Sequence, residues 1–185
     1  MSTEQVQAME QVADQAEAPT TEEQRAVIDP HKLQRYMERM KDEQNLLMGV
    51  VGGLLGATIG AVLWAVITVL TEYQIGYMAL GVGFLAGIGV KLLGKGIDRS
   101  FQVAGATLAL AGCLAGNLMV VVIFASLETG IPVATLLASL TPSIVVELYS
   151  ATFNLMDLLF YGLAITIGYK YSLRTIPQED VEKLV

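Results

Sequence analysis

Hydrophobic and polar positions alternate along this chain in long blocks. Residues 46–70, "LLMGVVGGLLGATIGAVLWAVITVL", hold no charge at all, and that run exceeds the roughly 20 residues a helix needs to cross the hydrocarbon of a bilayer. Residues 75–93 form a second apolar run, ending beside Lys91, whose long side chain snorkels toward the interface. Residues 101–127 form a third and residues 152–171 a fourth. The pattern predicts four transmembrane helices.

The apolar stretch at 131–150 is tempting as a fifth span, and charge decides against it. With four spans and a cytoplasmic N-terminus, all 11 Lys and Arg fall on the cytoplasmic side, while the outer connections carry Glu72, Glu128 and Glu147 and no base. A fifth span would export Lys170 and Arg174, against the positive-inside bias. Thr141-Pro142 reads as a cap and first helical residue, and Pro132 opens an earlier turn. Residues 131–150 are therefore expected as two short helices on or dipping into the outer leaflet, packed over the bundle as a lid.

Before the first span, Asp29-Pro30 is a helix-start signal. The following "HKLQRYMERMKDEQN" places Leu33, Tyr36, Met37 and Met40 at helical spacing against Lys32, Arg35, Arg39 and Lys41, so residues 29–45 are expected as an amphipathic juxtamembrane helix. Residues 1–28 include Glu4, Glu10, Asp14, Glu17, Glu22 and Glu23 ahead of the first base and little apolar material. A disordered acidic cytoplasmic tail follows from that composition. The segment lacks the charged start and apolar stretch of a signal peptide. Residues 175–185 make a second cytoplasmic tail.

The fold class expected is thus an all-α membrane protein: a four-transmembrane-helix bundle with an outer-leaflet helical segment and a disordered acidic N-terminal tail. The hydrophobic fraction of 54% agrees with a chain built for lipid. The net charge of -7 owes much to the tail, and no basic stripe survives for nucleic acid. Cys113 is the only cysteine and His31 the only histidine, which leaves no internal disulfide and no His/Cys metal cluster. No metal and no cofactor are expected. Catalysis is disfavoured too, because His31 lies on the juxtamembrane helix, far from the membrane carboxylate.

Lipid tails are as apolar as leucine, so membrane helices associate by close backbone approach and a few polar contacts. Gly52, Gly56 and Gly60 repeat every fourth residue in a glycine-zipper pattern, with Gly49 and Gly53 on an adjacent row; Gly83 and Gly87 do so on the second span, Gly112 and Gly116 on the third. These seams fit packing within the chain or within an oligomer. Trp64, Tyr73 and Tyr77 are expected as an outer aromatic belt, Tyr169 and Tyr171 as an inner one.

One acid, Asp157, stands near the head of the fourth run, where insertion scales set a charge at about 2.5–3.5 kcal/mol at the membrane centre. Asn154, Asp157, Tyr161, Ala164 and Gly168 share one stripe of that helix. Two readings follow. In one, Asn154 caps the helix and Asp157 sits near the positive end of its dipole. In the other, Asp157 is a proton or cation site with Asn117 and Tyr161 as hydrogen-bond donors, since Asn117 on the third span lies at a matching depth.

The runs "LWAVITVLTEYQIGYMALGVGFLAGIGVKLLGKG" and "TFNLMDLLFYGLAITIGYKYSLR" resemble small bacterial inner-membrane proteins of no established function, over roughly residues 46–100 and 130–174. The resemblance implies a multi-pass location in the bacterial inner membrane. Some members of that family carry a Cys-rich metal ribbon on the N-terminal side, which does not carry over because this chain has no cysteine there. No catalytic residue comes with it. The function expected is a non-catalytic assembly, accessory or regulatory component of a membrane complex, with lipid, a homo-oligomer or a larger complex as its partners. A small transporter or channel using Asp157 is the competing expectation.

Overall fold

A computed structural model describes residues 30–72, 76–177 and 179–180. Asp29, Tyr73, the acidic tail and residues 181–185 lie outside the described residues, and so do the expectations placed on them. The chain divides into two units, residues 37–175 and the terminal residues on either side. Within the terminal unit, Tyr36 donates its hydroxyl to Asp180 Oδ2 at 3.1 Å.

Among the described residues the chain is all helical. The helices are α1 (Pro30–Glu43), α2 (Leu46–Thr71), α3 (Met78–Gly94), α4 (Arg99–Thr129), α5 (Val133–Ser139), α6 (Pro142–Thr152) and α7 (Leu155–Tyr171). Local chemistry sets several of their ends. Asn45 caps α2 by accepting from the Met48 N–H at 3.0 Å. Gly130, at φ 72, closes α4 in the left-handed region that glycine enters without a steric penalty. Thr141 caps α6, accepting from the Ile144 N–H at 3.4 Å, with Pro142 at the first turn.

Four helices form the bundle, and their register follows from which residues meet. On α2, Gly49, Gly52, Gly56 and Gly60 face Gly94, Gly89, Leu85 and Val82 of α3, so the two run antiparallel. Gly53 meets Leu108, and Gly112 and Gly116 meet Ala57 and Ala61, which makes α4 parallel to α2. Gly83 and Gly87 meet Ala164 and Gly168, which makes α7 parallel to α3. Gly105 packs on Gly168, closing α7 antiparallel to α4. Helices α2 and α4 thus point one way and α3 and α7 the other.

The residue distribution is inverted relative to a water-soluble bundle. Small residues fill the inside of α2: glycines 49, 52, 53, 56 and 60 with Ala57, Ala61 and Ala65 are buried, while Leu47, Leu54, Leu55, Ile59 and Leu70 lie exposed. On α7, Tyr161, Ala164 and Gly168 are buried, and Leu155, Leu159 and Leu163 face out. An apolar surface this continuous marks contact with lipid or another protein. By length and composition α2 and α4, of 26 and 31 residues, are long and apolar enough to cross a membrane, and the α5–α6 pair makes a third candidate if taken as one bent span.

Two expectations are corrected here. Trp64 is not part of an outer belt: it is 1% exposed, because Gly116 on α4 leaves space that the indole fills, its Cε3 lying 3.1 Å from where a Cβ would stand. Nor does the 131–150 segment pack down as a lid. Neither α5 nor α6 has a buried residue, and the two helices are bent 109° apart. The Pro142 ring cannot continue α5, and the apolar side chains of both helices find no small-residue seam to enter. Tyr149 reaches back to donate its hydroxyl to the Leu114 carbonyl of α4.

One end of the bundle is tied by polar contacts. Gln44 donates to Asp98 Oδ2 at 2.5 Å, the Asn45 N–H to the Gly94 carbonyl at 2.9 Å, and the Arg174 N–H to the Gly96 carbonyl at 2.8 Å. Lys91 Nζ, expected to snorkel, donates to Thr175 Oγ1 at 2.9 Å. Arg174 also pairs with Glu43 at 2.7 Å and holds that carboxyl below the usual range, by hydrogen bond and by charge. This contribution is present at neutral pH and fades as pH falls through the lowered value. It is solvent-exposed and therefore weak.

Candidate functional site

The polar residues singled out on the fourth and third apolar runs separate into two places. Asn154 and Asp157 stand at the start of α7, where they form a capping box: Asp157 Oδ2 accepts from the Asn154 backbone N–H at 2.9 Å. The arrangement satisfies helix-terminal donors and sets a carboxylate at the positive end of the dipole. Asn154 also donates through Nδ2 to the Thr152 carbonyl at 3.2 Å. Asp157 is half-buried and opens on a recess of about 360 Å³ lined by Gly76, Asn154, Met156 and Phe160.

Asn117 and Tyr161 lie deeper, 1% and 4% exposed. Asp157 is held by the Asn154 N–H rather than by Asn117, and Asn117 lies beside Tyr161, one turn further along α7. The reason is local. The Asn154 N–H is an orphan donor at a helix start, three residues from Asp157, and meets the carboxylate at no cost in chain entropy. Tyr161, four residues on, points into the core instead, its ring edge-on to Phe153 at 5.9 Å.

All nine seam glycines named from the sequence face other helices of this chain. A Cβ on Gly52 would strike the Gly89 carbonyl, one on Gly56 the Leu85 carbonyl, and one on Gly83 the Ala164 carbonyl. On Gly60 it would come within 2.9 Å of Val82 Cα, and on Gly87 within 3.0 Å of the Gly168 oxygen. Gly112 and Gly116 meet Val82 Cγ1 at 2.7 Å and Trp64 Cε3 at 3.1 Å. Sequence reasoning missed Gly105 as the partner of Gly168, where each would bring a Cβ within 2.6 Å of the other's carbonyl oxygen. Its offset of one heptad from Gly112 was the available signal. Also missed were Trp64 and Thr68 as polar groups of the core, because in a lipid-spanning run a tryptophan reads first as an anchor.

Among the described residues there is no group of three or more His, Cys, Asp or Glu placed to hold a metal. An apolar groove of about 250 Å³ runs between α2 and α4, lined by residues such as Leu54, Thr58, Ala61, Leu108, Ala115 and Met119.

The capping role of Asp157 has a measurable consequence. Asp157→Asn retains an acceptor for the Asn154 N–H and is expected to change stability by less than about 0.5 kcal/mol. Asp157→Ala removes it and should cost about 1 kcal/mol, read from unfolding curves in detergent. Equal losses in both variants would show that the charge, not the cap, holds the helix start.

These features define a helical bundle in which two helices, or three with the bent pair, are long and apolar enough to cross a membrane. Comparison with protein-family models, with curated proteins and with solved structures finds no match to this chain.

Proposed function

We propose that this chain is a non-catalytic integral protein of the bacterial inner membrane, crossing it four times with both termini in the cytoplasm, and that it serves as an assembly, accessory or regulatory component of a larger membrane complex. The observation that carries this reading is the inverted bundle. Backbone-to-backbone glycine contacts fill its middle, and large aliphatic side chains cover its outside. Such an interior supports a structural role over conduction, since a conduit through the Gly52–Gly89 and Gly83–Ala164 levels would need those backbones to part.

The four-span topology draws support from the alternation of helix directions. Helices α3 and α7 are 17 residues each, about 25 Å at 1.5 Å per residue, close to the hydrocarbon thickness. Lys91, Lys95, Arg99 and Arg174 gather near the tied end of the bundle, while Glu72, Glu128 and Glu147 belong to the connections at the other. In a Cys113→Ser background, a cysteine at Lys95 should stay unlabelled by an impermeant thiol reagent in intact cells, and one at Thr129 should be labelled. Labelling at Lys95 from outside would reject the topology. Purification in mild detergent with mass analysis of co-eluting proteins tests the complex, and a lone monomer would count against it.

A second reading, a small transporter or channel, is favoured by the recess at Asp157. Under it, Asp157→Asn abolishes proton or cation flux in proteoliposomes while the protein stays folded.

A further inference from the structure

The Trp64 indole Nε1, the Thr68 hydroxyl and the Tyr161 hydroxyl are sealed inside the bundle without a hydrogen-bond partner among the described residues. The Trp64 and Thr68 side chains are 1% and 0% exposed, and they lie one helical turn apart on the buried face of α2. Trp64 packs in one cluster with Tyr161 of α7 and Cys113 of α4, and against Gly116, the residue before Asn117. Asn117 of α4 and Tyr161 of α7 lie beside each other at this level. Polar side chains from three helices therefore lie around Trp64 in a bundle whose other contacts are made mostly by glycine and alanine.

An indole N–H can only donate, and a hydroxyl needs at least one partner. Left bare in a dry interior, both are costly, and native structures meet such groups with ordered water. An anion finds no base here, because Lys91, Lys95 and Arg99 gather near the opposite end of α3 and α4. A cation is repelled by the indole N–H. Water can both accept from Trp64 and bond to the hydroxyls.

We infer that this level of the bundle is an internal hydration site, in which water molecules link Trp64 Nε1–H and the Thr68 hydroxyl to the Tyr161 hydroxyl beside Asn117. The recess at Asp157 lies one turn from Tyr161 on the same helix. On the far side, Ala57, Val82, Gly112 and Ala164 close the core. This hydration site stands independently of the proposed role in a complex.

Trp64 is the only tryptophan, so its fluorescence reports on this level alone. The full chain is measured in detergent micelles, excited at the red edge where tyrosine does not absorb. Water bonded to the indole should place the emission to the red of indole in hydrocarbon and lengthen its lifetime in D2O. Thr68→Val and Tyr161→Phe, each nearly isosteric, should shift emission to the blue. Thr58→Val, on the exposed face of α2, should leave it unchanged. Hydrocarbon-like emission from the unmodified chain with no response to D2O would overturn the inference. So would a rise in melting temperature on Thr68→Val with unaltered emission, which is the signature of a bare hydroxyl removed from a dry core.

Discussion

Gly56→Leu is expected to break the α2–α3 seam. The first added atom would run into the Leu85 carbonyl oxygen and lie 2.7 Å from its carbon and 3.1 Å from the Ala86 nitrogen. All three are backbone atoms within a helix, so no side chain can rotate aside. Overpacking ordinarily costs about 1–3 kcal/mol, and a leucine pressed on backbone belongs at or above the upper end. Gly56→Ala should already be harmful. Gly162→Leu is the control, because a Cβ at Gly162 meets nothing within 4 Å, and it should alter stability by less than about 0.5 kcal/mol. Unfolding in detergent followed by circular dichroism compares them. Equal melting for Gly56→Leu and the unmodified chain would mean that these backbones do not touch.

Phe101→Ala should produce a loss of similar size by the opposite route. Phe101 is 2% exposed, and its ring lies over Gly49, Gly94 and Gly96, at 3.2 Å and 2.8 Å from the Cβ positions of the first two. It plugs the tied end of the bundle, where α2, α3 and α4 come together without side chains of their own. Truncation leaves a cavity bounded by glycine backbone that cannot collapse inward, and buried Phe→Ala changes typically cost about 3–5 kcal/mol. Phe101→Leu should recover much of that loss. If alanine and leucine were equally mild, the ring would be peripheral rather than a plug.

Much of the helical layout was legible in the sequence because each signal was local. Runs without charge set α2 and α4, Thr141-Pro142 set the start of α6, and the Asn154–Asp157 spacing set the cap of α7. The recurrence of glycine at every fourth residue marked which face of α2 would be buried, since a residue without a side chain has value only where another backbone approaches. These are statements about one segment at a time, and the physics that fixes them acts within a turn or two.

Pairing across helices was not legible to the same degree. That Gly52 meets Gly89, that Gly105 meets Gly168, and that α7 lies beside both α3 and α4 depend on the register of three separate helices. Spacing along one chain segment carries no information about the phase of another. The same limit explains Asp157 and Trp64. A carboxylate in an apolar run can be read as a cap or as a site, and the tertiary structure turned it toward the Asn154 N–H and turned Tyr161 toward Asn117. A tryptophan near the end of a span reads as an interfacial anchor, yet the gap left by Gly116 on a neighbouring helix drew it inside. Sequence determined which faces are smooth and where helices start. Only the packed bundle decided which groups those faces enclose, because enclosure is a property of several helices at once.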